Sequence, residues 1–131
     1  MLATQLQACL APAAGAQEPG VTPPAEISMT SGLFTRGQAS RGERRFQQLC
    51  EACHRTNEIT RGWFGGAIYQ TAGDLLEMIS TTMPEDNPGS LNPEEYVDIL
   101  AFLLRMNDYP AGEEALPADS SLLESIRIPG P

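Results

Sequence analysis

Lysine is absent from these 131 residues, histidine occurs once and cysteine three times. The eight basic residues are therefore all arginine, and 17 acidic residues set the net charge at −9. A chain this acidic makes a poor partner for nucleic acid. One histidine and three cysteines do not convincingly complete a four-ligand structural zinc site. No run approaches the roughly 18 consecutive apolar residues that a membrane-spanning helix needs, so no transmembrane segment is expected and any membrane attachment falls to the N-terminus. Strand-type alternation is missing as well, which leaves helices to build the core.

What is present fits one small domain, because the chain is too short for two ordinary ones. An apolar fraction of 41% suits a globular core, while 11 prolines and 12 glycines imply long loops. Charge is unevenly spread. Residues 33–62 carry six arginines against three acids (+3), and residues 63–131 carry two against twelve (−10), an asymmetry that can steer docking. Residues 1–16 end in Ala14-Gly15-Ala16, the small-x-small form of a signal-peptidase site, with cleavage expected after Ala16. The rival reading takes Leu6-Gln7-Ala8-Cys9 as a lipoprotein-type box that leaves Cys9 as a lipid tether. Either implies an extracytoplasmic location, the periplasm or the outer side of the membrane. Residues 17–32, with three prolines and two glycines, read as a flexible linker.

Three main helices are expected. The first opens at Thr35, where Thr35-x-x-Gln38 can form a capping box, and runs to the cysteines with Ala39, Gly42, Phe46, Leu49 and Cys53 on one face. Gly42 lacks a side chain where another helix can cross closely. After a polar loop at 55–60 and a glycine-rich stretch, Thr71-x-x-Asp74 opens a shorter helix bearing Leu75, Leu76 and Ile79, which Pro84 stops. The third has Asn92 as N-cap, Pro93 at its first position and Glu94 and Glu95 at the positive end of its dipole. It runs to about Met106 and is apolar enough to be well buried. Residues 117–131 read as an extended, Pro-rich tail, with Leu122, Leu123 and Ile126 as a short apolar patch that can pack back on the body.

The chemistry sits in Cys50-Glu51-Ala52-Cys53-His54. Two cysteines three apart on a helical turn face the same way, so both sulfurs can form thioethers with the two vinyl groups of one haem, and the adjacent imidazole can swing under the ring to bind iron. A thioredoxin-type reading of Cys-x-x-Cys needs a βαβ unit, which the pattern lacks. With no second histidine, the sixth iron ligand is sought among Met29, Met78, Met83 and Met106. Met83 is favoured. Pro84 holds its backbone extended just past a helix end, whereas Met78 and Met106 sit on packed helices and Met29 lies in the linker. Ile79, Pro84 and Leu91 are expected to line the pocket, and Trp63, with Arg61, to approach the haem propionates.

These residues resemble those of class I c-type cytochromes, and within them the haem modules associated with quinoprotein (PQQ-dependent) dehydrogenases. The run from Thr81 to Leu91, then Glu95 to Leu104, then Asn107 to Gly112 carries the likeness, together with Gly42, Phe46 and the haem motif. It covers about residues 33–116, the expected cytochrome c domain. The resemblance implies an all-α cytochrome c-like fold around one covalently bound haem c, with Gly42 and Phe46 meeting Ile99 and Phe102, and with Met83 as distal ligand. Arg55 departs from the family, which usually places glycine after the histidine. Filled axial positions leave no substrate site, so the implied role is single-electron transfer, not catalysis, between a periplasmic dehydrogenase and an acceptor such as a terminal oxidase. Two alternatives stand beside it. One is a fixed subunit of a larger respiratory, photosynthetic or dehydrogenase complex, and the other is a haem sensor or peroxidase in which Met83 leaves the iron.

Overall fold

The computed structural model describes residues 27–28, 32–62 and 69–128. Cys9, the cleavage site after Ala16, Met29 and Trp63 lie outside the described residues. The elements in chain order are β1 (Ile27–Ser28), α1 (Arg36–Leu49), α2 (Thr56–Gly62), α3 (Ala72–Thr82), α4 (Pro93–Met106), α5 (Ser120–Glu124) and β2 (Ile126–Arg127). The all-α expectation holds. Helices α1, α3 and α4 are the three main ones, and the expected polar loop at 55–60 is largely the short helix α2, which buries Ile59.

The α1–α4 crossing organises the molecule. A Cβ on Gly42 would stand 1.8 Å from the Asp98 carbonyl oxygen, so only glycine lets the two backbones meet here. Around that contact, Phe46 and Phe102 pack with ring centroids 5.3 Å apart. The Arg41 guanidinium grips the buried Asp98 carboxylate through two hydrogen bonds of 2.7 and 2.8 Å, and this pairing holds the Arg41 pKa above its ordinary value against the opposing effect of burial. Arg105 bonds Glu43 at 2.7 Å, and Arg45 pairs with Glu95. Residues 96–104 of α4 are buried without a break, which explains why its apolar stripe is so wide.

The helix starts follow local chemistry. Asn92 and Glu95 form a reciprocal capping box, as do Thr71 and Asp74. At Thr35 only half of the expected box exists. The Thr35 hydroxyl accepts from the Gln38 N–H, but the Gln38 side chain turns inward, donating to the Leu116 carbonyl at 3.0 Å and accepting from the Leu116 N–H at 2.9 Å. The backbone N–H and carbonyl of the buried Leu116, which lies outside any helix or strand, need partners, and this amide supplies both.

The tail is not extended throughout: it holds a short helix, and its apolar patch packs back on the body through Leu123 and Ile126, with Leu122 exposed. Asp119 caps α5, and Leu123, Ile126 and Ile128 are buried. Burying side chains of this size contributes about 1.5–3 kcal/mol each, enough to hold a short segment down. The tail lies on α3 where Gly73 leaves room for the Glu124 backbone. It then pairs β2 with β1 in parallel, Ile27 against Ile126, while the Ile128 N–H donates to the Gln70 carbonyl at 2.9 Å. Chain segments before α1 and after α4 are thus tied together behind α3.

Candidate functional site

Helix α1 ends at Cys50, whose N–H donates to the Phe46 carbonyl at 2.8 Å. The chain then makes one more turn, because the Cys50 carbonyl accepts from both Cys53 N–H (3.1 Å) and His54 N–H (2.8 Å). This turn gathers the Cys-x-x-Cys-His residues beside a cavity of about 500 Å³. Cys50, Ala52, Cys53 and His54 line one part of its wall, and Met83 and Pro84 another. Phe46, Ile59, Ile79, Ile99 and Leu103 make the remaining surface mostly apolar, and Glu85 and Asp86 supply carboxylates.

Met83 reaches the cavity because of how α3 ends. Its N–H caps the helix on the Ile79 carbonyl at 2.9 Å, and its backbone is extended, with φ −126° and ψ 149°. The backbone ahead of Pro84 is thus extended, as a residue preceding proline favours. Neither Cys50 nor Cys53 is in a disulfide; Cys53 is exposed and Cys50 half-buried. Burial, with a further contribution from Cys53, pushes the Cys50 thiol up from its ordinary value.

Of the residues singled out in the sequence, Cys50, Cys53, His54, Ile79, Met83 and Pro84 come together in this one cavity. Leu91 does not belong to it. It lies at the far end of the 83–91 loop, half-buried against the core, with its N–H directed to the Tyr96 hydroxyl. Met78 and Met106 pack against the core, as their helical positions suggested. Leu49, expected on the helix-crossing face, is 40% exposed and lines the cavity instead. Glu85 and Asp86 had one available signal, their position directly after Met83-Pro84.

A family model described as cytochrome c oxidase, cbb3-type, subunit III matches residues 37–103, just over half of the chain. The chain belongs to this family of cytochrome c domains. No curated protein and no solved structure matches it. A cytochrome c domain carries covalently bound haem c and transfers electrons. The cavity of this cytochrome c domain fits that group: it offers two thiols, an imidazole and a thioether within mostly apolar walls, the donors and surroundings that a thioether-linked porphyrin iron requires. Among the described residues, no helix is long and apolar enough to cross a membrane.

Proposed function

We propose that this cytochrome c domain holds one haem through thioethers from Cys50 and Cys53, with His54 and Met83 as the axial ligands, and relays single electrons outside the cytoplasm. When bound, the haem supplies a reversible one-electron couple, and a methionine ligand favours the reduced state. The observation that carries the reading is the convergence of the Cys50–His54 turn and Met83 on one apolar cavity. Cys50, Cys53 and His54 fix the group to the end of α1. Ile79, Ile99, Leu103 and Phe46 would keep water away from it, and the Met83 thioether would supply the remaining iron ligand. No binding place for a substrate is needed in this scheme.

The donor proposed is a periplasmic dehydrogenase, of quinoprotein type on the strength of the sequence resemblance, and the acceptor a terminal oxidase or another cytochrome. The fixed-subunit reading has one observation of its own, since the matching family is described as a subunit of an oxidase. The sensor or peroxidase reading is disfavoured by the firm seating of the Met83 backbone at the end of α3.

Redox titration of the purified holoprotein, with carbon monoxide added to the reduced form, tests the core of the proposal. One single-electron wave is expected, together with carbon monoxide binding in Met83→Ala but little in the parent. Two waves, or ready carbon monoxide binding by the parent, would overturn it.

A further inference from the structure

Tyr96 stands in the first turns of α4 with its ring buried. Its hydroxyl donates to the Met83 carbonyl at 2.8 Å and accepts from the Leu91 N–H at 3.5 Å. One side chain therefore joins both ends of the loop that runs from Met83 to Leu91. The loop itself is braced by two short-range bonds, Asn87 N–H to the Pro84 carbonyl at 2.9 Å and Ser90 N–H to the Asn87 carbonyl at 3.3 Å. Both backbone polar groups of Met83 are bonded. Its N–H is held by the last turn of α3 and its C=O by Tyr96 of α4.

We propose that Tyr96 is a positioning residue for Met83, and that its hydroxyl sets how readily the Met83 thioether gives up the haem iron. The proposal rests on Met83 being the distal ligand. A thioether binds iron weakly, so its occupancy depends on how closely the backbone confines it near the metal, much as a tethered ligand gains from a high local concentration. Helix α4 is a suitable anchor. It is locked to α1 at the Gly42 crossing and capped by Asn92 and Glu95, so the Tyr96 hydroxyl is presented from a rigid element. Loss of that hydroxyl frees the Met83 carbonyl and loosens the loop while the buried ring stays in place.

An exogenous imidazole competes with the thioether for ferric iron, and its apparent affinity scales with the fraction of molecules in which Met83 is off the iron. Imidazole titration of the ferric holoprotein, followed in the visible spectrum, reads this fraction directly. In Tyr96→Phe, imidazole is expected to bind about fivefold more tightly than in the parent, the equivalent of ~1 kcal/mol for one hydrogen bond. Met83→Ala is expected to bind it most tightly of all. Gln38→Ala, which weakens the fold far from the loop, should leave the affinity unchanged. Equal affinities in Tyr96→Phe and the parent, with Met83→Ala tighter, would overturn the role of Tyr96 and spare the ligand. A gain in Gln38→Ala matching that in Tyr96→Phe would show a general softening and also overturn it. An unchanged affinity in Met83→Ala would overturn the ligand assignment and the proposal together.

Discussion

Gly37 and Gly42 sit five residues apart in α1, and the same substitution should have opposite effects at the two positions. At Gly42 the added Cβ would lie 1.8 Å from the Asp98 carbonyl oxygen, 2.4 Å from its carbon and 2.9 Å from the Ile99 nitrogen. These are backbone atoms in the middle of a helix, so no side-chain rotation relieves the overlap. Ordinary contact begins at 3.4 Å, so α1 and α4 would have to separate locally by 3.4 − 1.8 = 1.6 Å. That movement stretches the Arg41–Asp98 hydrogen bonds of 2.7 and 2.8 Å beyond bonding range and opens the Phe46–Phe102 contact. Overpacking alone costs about 1–3 kcal/mol, and the strained pairing to the buried Asp98 carboxylate places Gly42→Ala at the upper end, about 3 kcal/mol. For a chain of this length the unfolding entropy is about 0.28 kcal/mol/K, so the expected fall in Tm is about 10 °C. At Gly37 the added Cβ meets only the Thr35 hydroxyl oxygen, at 3.9 Å. There the gain in helix propensity should raise stability by about 0.5–1 kcal/mol, or ~2–4 °C. Thermal melts of the holoprotein by far-UV circular dichroism measure both. A Gly42→Ala melt within about 3 °C of the parent, or a Gly37→Ala loss as large as that at Gly42, would refute the close crossing.

Gln38→Ala should cost about 2–4 kcal/mol in urea denaturation, because the buried Leu116 N–H and carbonyl both lose their partner. A loss below about 0.5 kcal/mol would mean that the amide is not what holds residue 116 in place. Asp74 gives a pH signature. Burial alone would raise its pKa, but the N–H groups of Thr71 and Gln70 and the Thr71 hydroxyl bring the carboxyl below its ordinary value. A depressed folded pKa means that its stabilisation is full above the unfolded value near 4 and is lost as pH falls through the lower folded value. Asp74→Asn should therefore melt about 2–4 °C below the parent at pH 7 and converge with it in acid. A gap that is independent of pH would contradict the ionised box.

The helical frame was legible because its signals are local. Thr71, Asp74, Asn92 and Pro93 announce helix starts, and Gly42 among the apolar positions of α1 announces a close crossing. The haem-type motif was legible for the same reason, since Cys50, Cys53 and His54 fall within a single turn. What the sequence hid depends on contacts between distant residues. Gln38 looks like an exposed capping partner until Leu116, 78 residues away, needs both a donor and an acceptor. That Leu123 and Ile126 could pack back on the body was legible from their apolar patch, but Ile128 as a further buried residue and Gly73 as the place where the Glu124 backbone approaches α3 were not. Leu91 follows Met83 closely enough in sequence to suggest the pocket, yet it packs half-buried against the core and is not among the residues that line the cavity. Tyr96 itself reads as one more apolar stripe residue, because nothing in a sequence tells where a hydroxyl will point.

Mass spectrometry of the acid-denatured protein, produced with the cytochrome c maturation machinery, tests the central claim most directly. The parent chain should carry the mass of one haem that survives denaturation, and the Cys50→Ala, Cys53→Ala double variant should return to the mass of the bare polypeptide. A parent chain at the bare mass after denaturation, or a double variant that still retains covalent haem, would contradict the account.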